Sequence, residues 1–199
     1  MPPQQRPTGS RLGRRNDPHR RDRIIDSCLE SISLFGVAGT SHRSVAARAE
    51  VPLGAMTYYF DGMDELLREA FTRFTATISD KFDRRLEAAS TTDMARDAVV
   101  AIILKDVFGD NREHVLTHEL YTLAARKQAF RSITTEWMRR TRAALERHFD
   151  PETARMLDAL MEGLSIHRAL DVEARDPHEI ATAVTRITNK SVDPRRDGT

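Results

Sequence analysis

The sequence predicts an all-α protein: a three-helix head followed by a longer helical body. Three observations point there. Apolar residues recur at three- and four-residue spacing from Ile24 to Ile187, the period of a helix with one buried face. No stretch shows the strict apolar–polar alternation of a half-buried strand. The pairs Asp17-Pro18, Asp150-Pro151 and Asp176-Pro177 read as helix starts, an N-cap acceptor followed by a proline whose missing N–H costs nothing in the first turn.

In chain order, residues 1–16 are rich in Pro, Gln, Gly and Arg and too polar to pack, so a disordered basic tail is expected. Its Arg6, Arg11, Arg14 and Arg15 suit either contact with a nucleic-acid backbone or a solubilising tail. The first helix starts at Asp17-Pro18, carries Ile24, Ile25, Cys28, Leu29, Ile32 and Phe35, and ends at Gly36 and Gly39. Arg20, Arg21 and Arg23 are expected to face outward near its start. Ser41 caps a second, short helix with Val45, Ala46 and Ala49 on its apolar stripe. Glu50, Val51 and Pro52 break that helix, and a third runs from Leu53 to Tyr59. The three should share a core of Ile25, Leu29, Phe35, Val45, Val51, Met56, Tyr59 and Phe60, making 17–62 one unit.

Asp61-Gly62 is a turn, and a long helix follows from Met63 towards Ala89 with Leu66, Leu67, Ala70, Phe71, Phe74, Ile78, Phe82 and Leu86 inward. Further helices are expected over 93–108, 113–125, 128–149, from Asp150-Pro151 to Leu170, and from Asp176-Pro177 to Ile187. Residues 63–190 thus form the body, and 191–199 a loose polar tail.

Composition excludes several classes. No apolar run approaches the ~20 residues of a membrane span, the N-terminus lacks the apolar centre of a secretory signal, and the one cysteine, Cys28, rules out an internal disulfide. A cytoplasmic protein without membrane contact is the expectation. The net charge of +1 conceals an asymmetry. Residues 1–60 hold nine Arg, no Lys and five acidic residues, giving +4, while the remainder is −3. A basic N-terminal part suits a nucleic-acid partner, though an ordinary solvated surface would look the same. There is no G-x-S-x-G, P-loop or G-x-G-x-x-G, so no enzymatic activity and no cofactor is expected. The acidic residues lie beside arginines at helical spacing, which suits ion pairing on solvated faces. His114 and His118 stand four apart, but without the glutamate of HExxH or a third ligand they assign no metal.

The stretch Ser41 to Phe60, SHRSVAARAEVPLGAMTYYF, carries the chemistry. A helix as short as Leu53–Tyr59 cannot stand alone in water and must be propped by neighbours. Two short helices joined by a tight turn are the helix-turn-helix plan, in which the second enters a DNA major groove. The stretch resembles the DNA-binding signature of the TetR family of bacterial transcriptional regulators: a capped T-x-R-x-[IV]-A helix, then A-G-V-[SP]-x-G-x-[LM]-Y-x-[YH]-F, then a short gap and D/E-x-L-L. Here it reads Ser41, Arg43, Val45, Ala46, Ala49, Val51, Pro52, Gly54, Met56, Tyr59 and Phe60, then Asp64, Leu66 and Leu67. Three positions depart. Glu50 replaces the turn glycine, Thr57 a tyrosine that often touches a phosphate, and Met63 a lysine at the start of the next helix. If position 50 needs φ > 0, Glu costs on the order of 1 kcal/mol there.

The resemblance implies a homodimeric one-component regulator, a repressor that binds a palindromic double-stranded DNA operator and is released by a small-molecule inducer. Arg43 would neutralise phosphate, Ser44, Leu53, Ala55 and Tyr58 would meet base edges, and Tyr59 a phosphate, with Ser41, Pro52, Gly54 and Thr57 completing the surface. The last two helices would pair with their symmetry mates through Ala159, Leu160, Leu164, Ala181, Val184 and Ile187. The body would enclose a ligand cavity, with Phe108, His118, Tyr121, Thr122, Trp137, Met138, Met161 and His167 as candidate walls, although aromatic and Met residues at helical spacing are more often plain core. Two other readings share these residues: a helical small-molecule-binding or enzyme-like protein whose head makes protein contacts, and a transcriptional activator.

Overall fold

The structure is a computed structural model and describes residues 17–107, 111–170 and 176–189. The expectations for the tails 1–16 and 191–199, and for Phe108, lie outside the described residues. Among the described residues every regular element is helical: α1 (Arg20–Gly39), α2 (His42–Arg48), α3 (Gly54–Tyr59), α4 (Met63–Glu87), α5 (Thr92–Ala101), α6 (Asn111–Arg126), α7 (Arg131–Leu145), α8 (Pro151–Leu170) and α9 (Pro177–Thr188). A π-helical segment, Ile102–Val107, follows α5, and a single 3-10 turn, Gln128–Phe130, precedes α7. No described helix is long and apolar enough to cross a membrane.

Side-chain caps open α2, α5, α8 and α9. The Thr91 side chain accepts from Met94 N–H at 3.2 Å and opens α5; that of Asp176 accepts from His178 N–H at 2.9 Å and opens α9. Asp150 does the same before α8, accepting from Thr153 N–H at 3.0 Å. These amide hydrogen bonds, with the Thr153 hydroxyl, hold its carboxyl below the usual carboxylate range.

Two apolar clusters form the core. The first joins α1, α2 and α3 to the first half of α4, and also takes Leu116, Leu120, Leu123 and Ala124 of α6 with Phe130. The head therefore has no private core: helix α6 of the body is built into it. The second cluster joins the end of α4 to α5, α7, α8 and α9 through Leu86, Val99, Ile103, Leu145 and Leu157. Ion pairs strap α4 along its length. Arg73 bonds Asp22 and Asp26 of α1, the latter at 3.0 Å. Arg140 of α7 reaches Asp80 at 2.9 Å and Asp83 at 3.0 Å, and Arg147 of α7 reaches Asp83 at 2.9 Å.

Phe35 corrects the sequence reading. It was expected in the head core and is 58% exposed, beside Leu34 at 57%. The cause is Gly36, whose φ of +69° and ψ of 172° break the helical path one residue later.

Candidate DNA-binding head and effector cavity

Helix α2 starts with a reciprocal cap. Ser44 N–H donates to Ser41 Oγ at 3.2 Å, and Ser41 N–H donates to Ser44 Oγ at 2.9 Å. Ser44 Oγ also donates to Ser41 O at 2.9 Å. The expectation that Ser44 reads bases is therefore weakened, because its hydroxyl is committed to the cap. Arg48 at the other end pairs with Glu30 of α1 at 2.6 Å.

The turn between α2 and α3 explains Glu50. Val51 N–H donates to Ala46 O at 3.0 Å and Glu50 N–H to Ala47 O at 3.2 Å, the paired bonds of a Schellman ending. That ending places its C′ residue in the left-handed region, and Glu50 has φ +53°. The position does need positive φ, and here a residue with a Cβ takes it.

Helix α3 buries Met56 and turns its other side outward. Leu53 is 48% and Tyr58 81% exposed, both large for a stable surface. A Cβ added at Gly54 would meet nothing within 4 Å, so the open ground there suits close approach by another molecule. Pro52 and Thr57 are exposed, Thr57 bonding back to Gly54 O at 3.2 Å, while Ala55 and Tyr59 are half-buried. The Tyr58 and Tyr59 rings meet edge to face at 4.8 Å. Ser41 and Arg43 are exposed on α2. Behind, Arg21 of α1 lies 5.2 Å over the Phe60 ring and pairs with Glu69 of α4, holding the end of α3 in place.

In the body, α4, α6, α7, α8 and the π-helical segment enclose a cavity of about 90 Å³. Trp137 and Met161 line it, as the sequence suggested. Tyr121 stands behind the wall, its ring stacked on Trp137 at 5.9 Å and 24°. His118 reaches it only through His114, the rings 4.8 Å apart. Met138 is half-buried away from the lining, and Thr122 and His167 are exposed outside it. Apart from His114, the polar lining escaped the sequence reading: Lys81, Glu113, Thr117, Thr141, Asp158, Glu162 and Ser165. Acidic residues expected on solvated faces thus turn inward at Asp158 and Glu162. The usable signal was their four-residue spacing inside the apolar run Leu157–Leu164.

Glu113 accepts from Lys81 Nζ at 2.6 Å, and Asp158 from Arg142 Nε at 2.7 Å. Glu162 accepts from the Tyr121 hydroxyl at 2.7 Å. Burial pushes the Glu162 carboxyl up; the Tyr121 bond opposes this and nearby Asp158 adds to it. Asp158 is also raised by burial, against the opposing effect of Arg142. Burial and then His118 hold His114 below its ordinary value of 6.5, with Ser165 opposing. Among the described residues no group of three His, Cys, Asp or Glu side chains could hold a metal ion.

One contact ties this chamber to the head. Val37 N–H donates to Glu119 Oε2 at 2.9 Å, 82 residues away. A Cβ at Gly36 would stand 2.8 Å from Glu119 Oε1, so the approach requires glycine. The Thr40 hydroxyl donates to Gly36 O at 2.8 Å, carrying the contact to the cap of α2.

Of the sequence-proposed dimer residues, Ala159 is exposed and Leu160, Leu164, Ala181 and Ile187 are half-buried. Val184 is 0% exposed and belongs to the chain's own core, which corrects its assignment to an interface.

A capped short helix, a tight turn and a second short helix propped by its neighbours make a helix-turn-helix head, joined here to a helical body with a cavity. Residues 24–70 match the family described as bacterial regulatory proteins, tetR family, and residues 87–190 match the tetracyclin repressor-like C-terminal domain. The chain belongs to the TetR family, a family of transcriptional regulators rather than enzymes. It is similar to the solved structure of SCO7518 of Streptomyces coelicolor A3(2), with 52% identity, a TM-score of 0.82, and coverage of 86% of this chain and 99% of that one. The multidrug-binding protein EbrR, solved with ethidium, is 32% identical with a TM-score of 0.72, over 85% of this chain and 98% of its own. The HTH-type transcriptional regulator BetI of Burkholderia mallei is 28% identical over 187 residues, 87% of this chain and 92% of the relative.

Proposed function

We propose that the chain is a ligand-responsive repressor that binds a palindromic operator as a homodimer and leaves it when a small molecule fills the cavity. The observation that carries this is the double duty of α6. Glu113, His114 and Thr117 line the cavity, while Leu116, Leu120 and Glu119 of the same helix hold the head. Ligand sites usually span about 300–1,000 Å³, and this cavity is about 90 Å³. A ligand of common size must push the walls apart, and one of those walls is latched to α1. EbrR binds ethidium in a similar fold, which supports a small-molecule effector in this body. For a hundred-fold loss of DNA affinity, the ligand must favour the released arrangement by about 3 kcal/mol.

Residues 17–62 act as the DNA-binding unit and 63–190 as the effector and dimer unit. Arg43 meets phosphate, and Leu53, Gly54, Thr57 and Tyr58 face base edges. The dimer forms through α8 and α9. On α8 the residues Met156, Ala159, Gly163, Ile166 and Leu170 follow one another at alternating three- and four-residue steps, the seam of a helix that packs on a partner helix. Met156, Ile166 and Leu170 are large apolar side chains left exposed. A protein of this kind works in the cytoplasm. The test is binding to a duplex selected from a random pool, followed across salt: affinity should fall steeply as salt rises. A head that serves protein contacts would show no duplex affinity at any salt.

A further inference from the structure

We propose that the cavity takes a singly charged organic cation with an aromatic or alkyl body, seated against Trp137 with Glu162 as its counter-charge. The inference rests on reading this cavity as the effector site and adds the sign of the ligand's charge.

Among the described residues three carboxylates line the cavity, and two are already neutralised. Glu113 holds the Lys81 ammonium and Asp158 the Arg142 guanidinium. Glu162 has no basic partner among the described residues; its one donor is the Tyr121 hydroxyl. An unpaired buried carboxylate is costly, and proteins resolve it by keeping the proton or by supplying a cation. Burial favours the first by strengthening the hold of Glu162 on its proton. An entering cation supplies the second. A neutral apolar ligand would only deepen the burial of Glu162. An anion would face it with both cations described there, Lys81 and Arg142, already engaged. One unpaired carboxylate matches one charge; a dication would leave its second charge uncompensated.

The wall supplies the rest. Trp137 is stacked on Tyr121 and meets Phe74 edge-on at 6.0 Å, so it is held rigidly while contributing to the lining. Indole attracts organic cations through its ring quadrupole, most strongly where water is excluded. Met161 and Ile102 complete an apolar seat for the ligand body.

Binding should release up to one proton as Glu162 ionises, so affinity should rise with pH through its titration. The other groups facing it do not reverse this. Asp158 and Glu113 are paired, Lys81 is engaged, and the Tyr121 hydroxyl is pushed up by burial and by Glu162. His114 is held low by burial and so is uncharged near neutrality.

Trp137 is the sole tryptophan, so its emission reports the cavity directly. The DNA-free full chain is titrated with benzyltrimethylammonium, benzyl alcohol and benzylsulfonate. The cation should give a saturable change, the alcohol one about tenfold weaker or more, and the sulfonate none. Glu162→Gln, which keeps an acceptor for Tyr121, should weaken cation binding about tenfold. Glu152→Gln, exposed at the start of α8 and outside the lining, should change it by less than about threefold. The proposal is overturned if the alcohol or sulfonate binds as well as the cation, if Glu162→Gln binds it unchanged, or if the cation gives no saturable change up to about 10 mM. If Glu162→Gln does not fold by circular dichroism, the charge series on the unmodified chain decides alone. No DNA is present, so a failure of operator binding leaves this result standing.

Discussion

Glu119→Ala should loosen the contact between α6, which lines the cavity, and α1 of the head while leaving both folded. The side chain accepts one hydrogen bond across the α1–α6 contact, from Val37 N–H at 2.9 Å. A bond to a charged acceptor contributes about 1.5–3 kcal/mol, and the half-buried setting here favours the low end. A loss of about 1.5 kcal/mol raises local opening roughly tenfold. Amide hydrogen exchange at Val37 should therefore quicken about tenfold, while amides of Ile24 and Leu29, inside the helical ladder, hold their rates. Gly36→Ala tests the same contact from the other side. Its Cβ would press on Glu119 Oε1 at 2.8 Å and sit at φ +69°, costing about 1 kcal/mol from the backbone alone. Combined with Glu119→Ala, the clash disappears and the two effects should sum to less than their separate values. If Val37 exchanges at the unmodified rate in Glu119→Ala, and the two substitutions are strictly additive, the contact couples nothing and the route from cavity to head described above is wrong.

Three further outcomes follow from the geometry. Glu50→Gly should stabilise the chain by about 0.5–1 kcal/mol, the relief at positive φ less the added freedom of the unfolded glycine, and raise the calorimetric melting point by about 1–4 °C. Arg43→Ala with Tyr58→Ala removes two exposed side chains, so melting should shift by little more than a degree while affinity for a selected duplex falls at least about tenfold. Cys28 is buried, and desolvation pushes its thiol from 9.0 up to about 12. Unfolding lets it ionise at the lower value. The unfolded state thus binds fewer protons between these limits, and the urea midpoint should decline as pH rises above 9, with Cys28→Ser flattening that decline.

The head was legible because its signals are local. The Ser41 cap, the turn at Glu50 and the apolar stripe of α2 depend on residues within a few positions, and each element formed within about three residues of its expected bounds. The positive φ at Glu50 was signalled by the glycine that the resembled signature carries at that position. Phe35 misled because a helical period was carried one residue too close to Gly36, where the chain turns away. The cavity was not legible, because its chemistry is assembled across the fold. Tyr121 meets Glu162 across 41 residues, and Val37 meets Glu119 across 82. Nothing local to Glu162 says that no arginine will reach it. The same holds for Val184: its apolar character was plain, but whether it faced this chain or another depended on where α5 and α8 lie.

If the reading of the head is right, α3, an unusually short helix propped by α1 and α4, is presented in duplicate to a double helix. Selection of duplexes from a random pool by the full chain tests it most directly. An inverted repeat should be enriched, with half-site centres about one helical turn, 10–10.5 base pairs, or a multiple of it apart. Recovery of a single unrepeated site, or no enrichment over the starting pool at low salt, would contradict it.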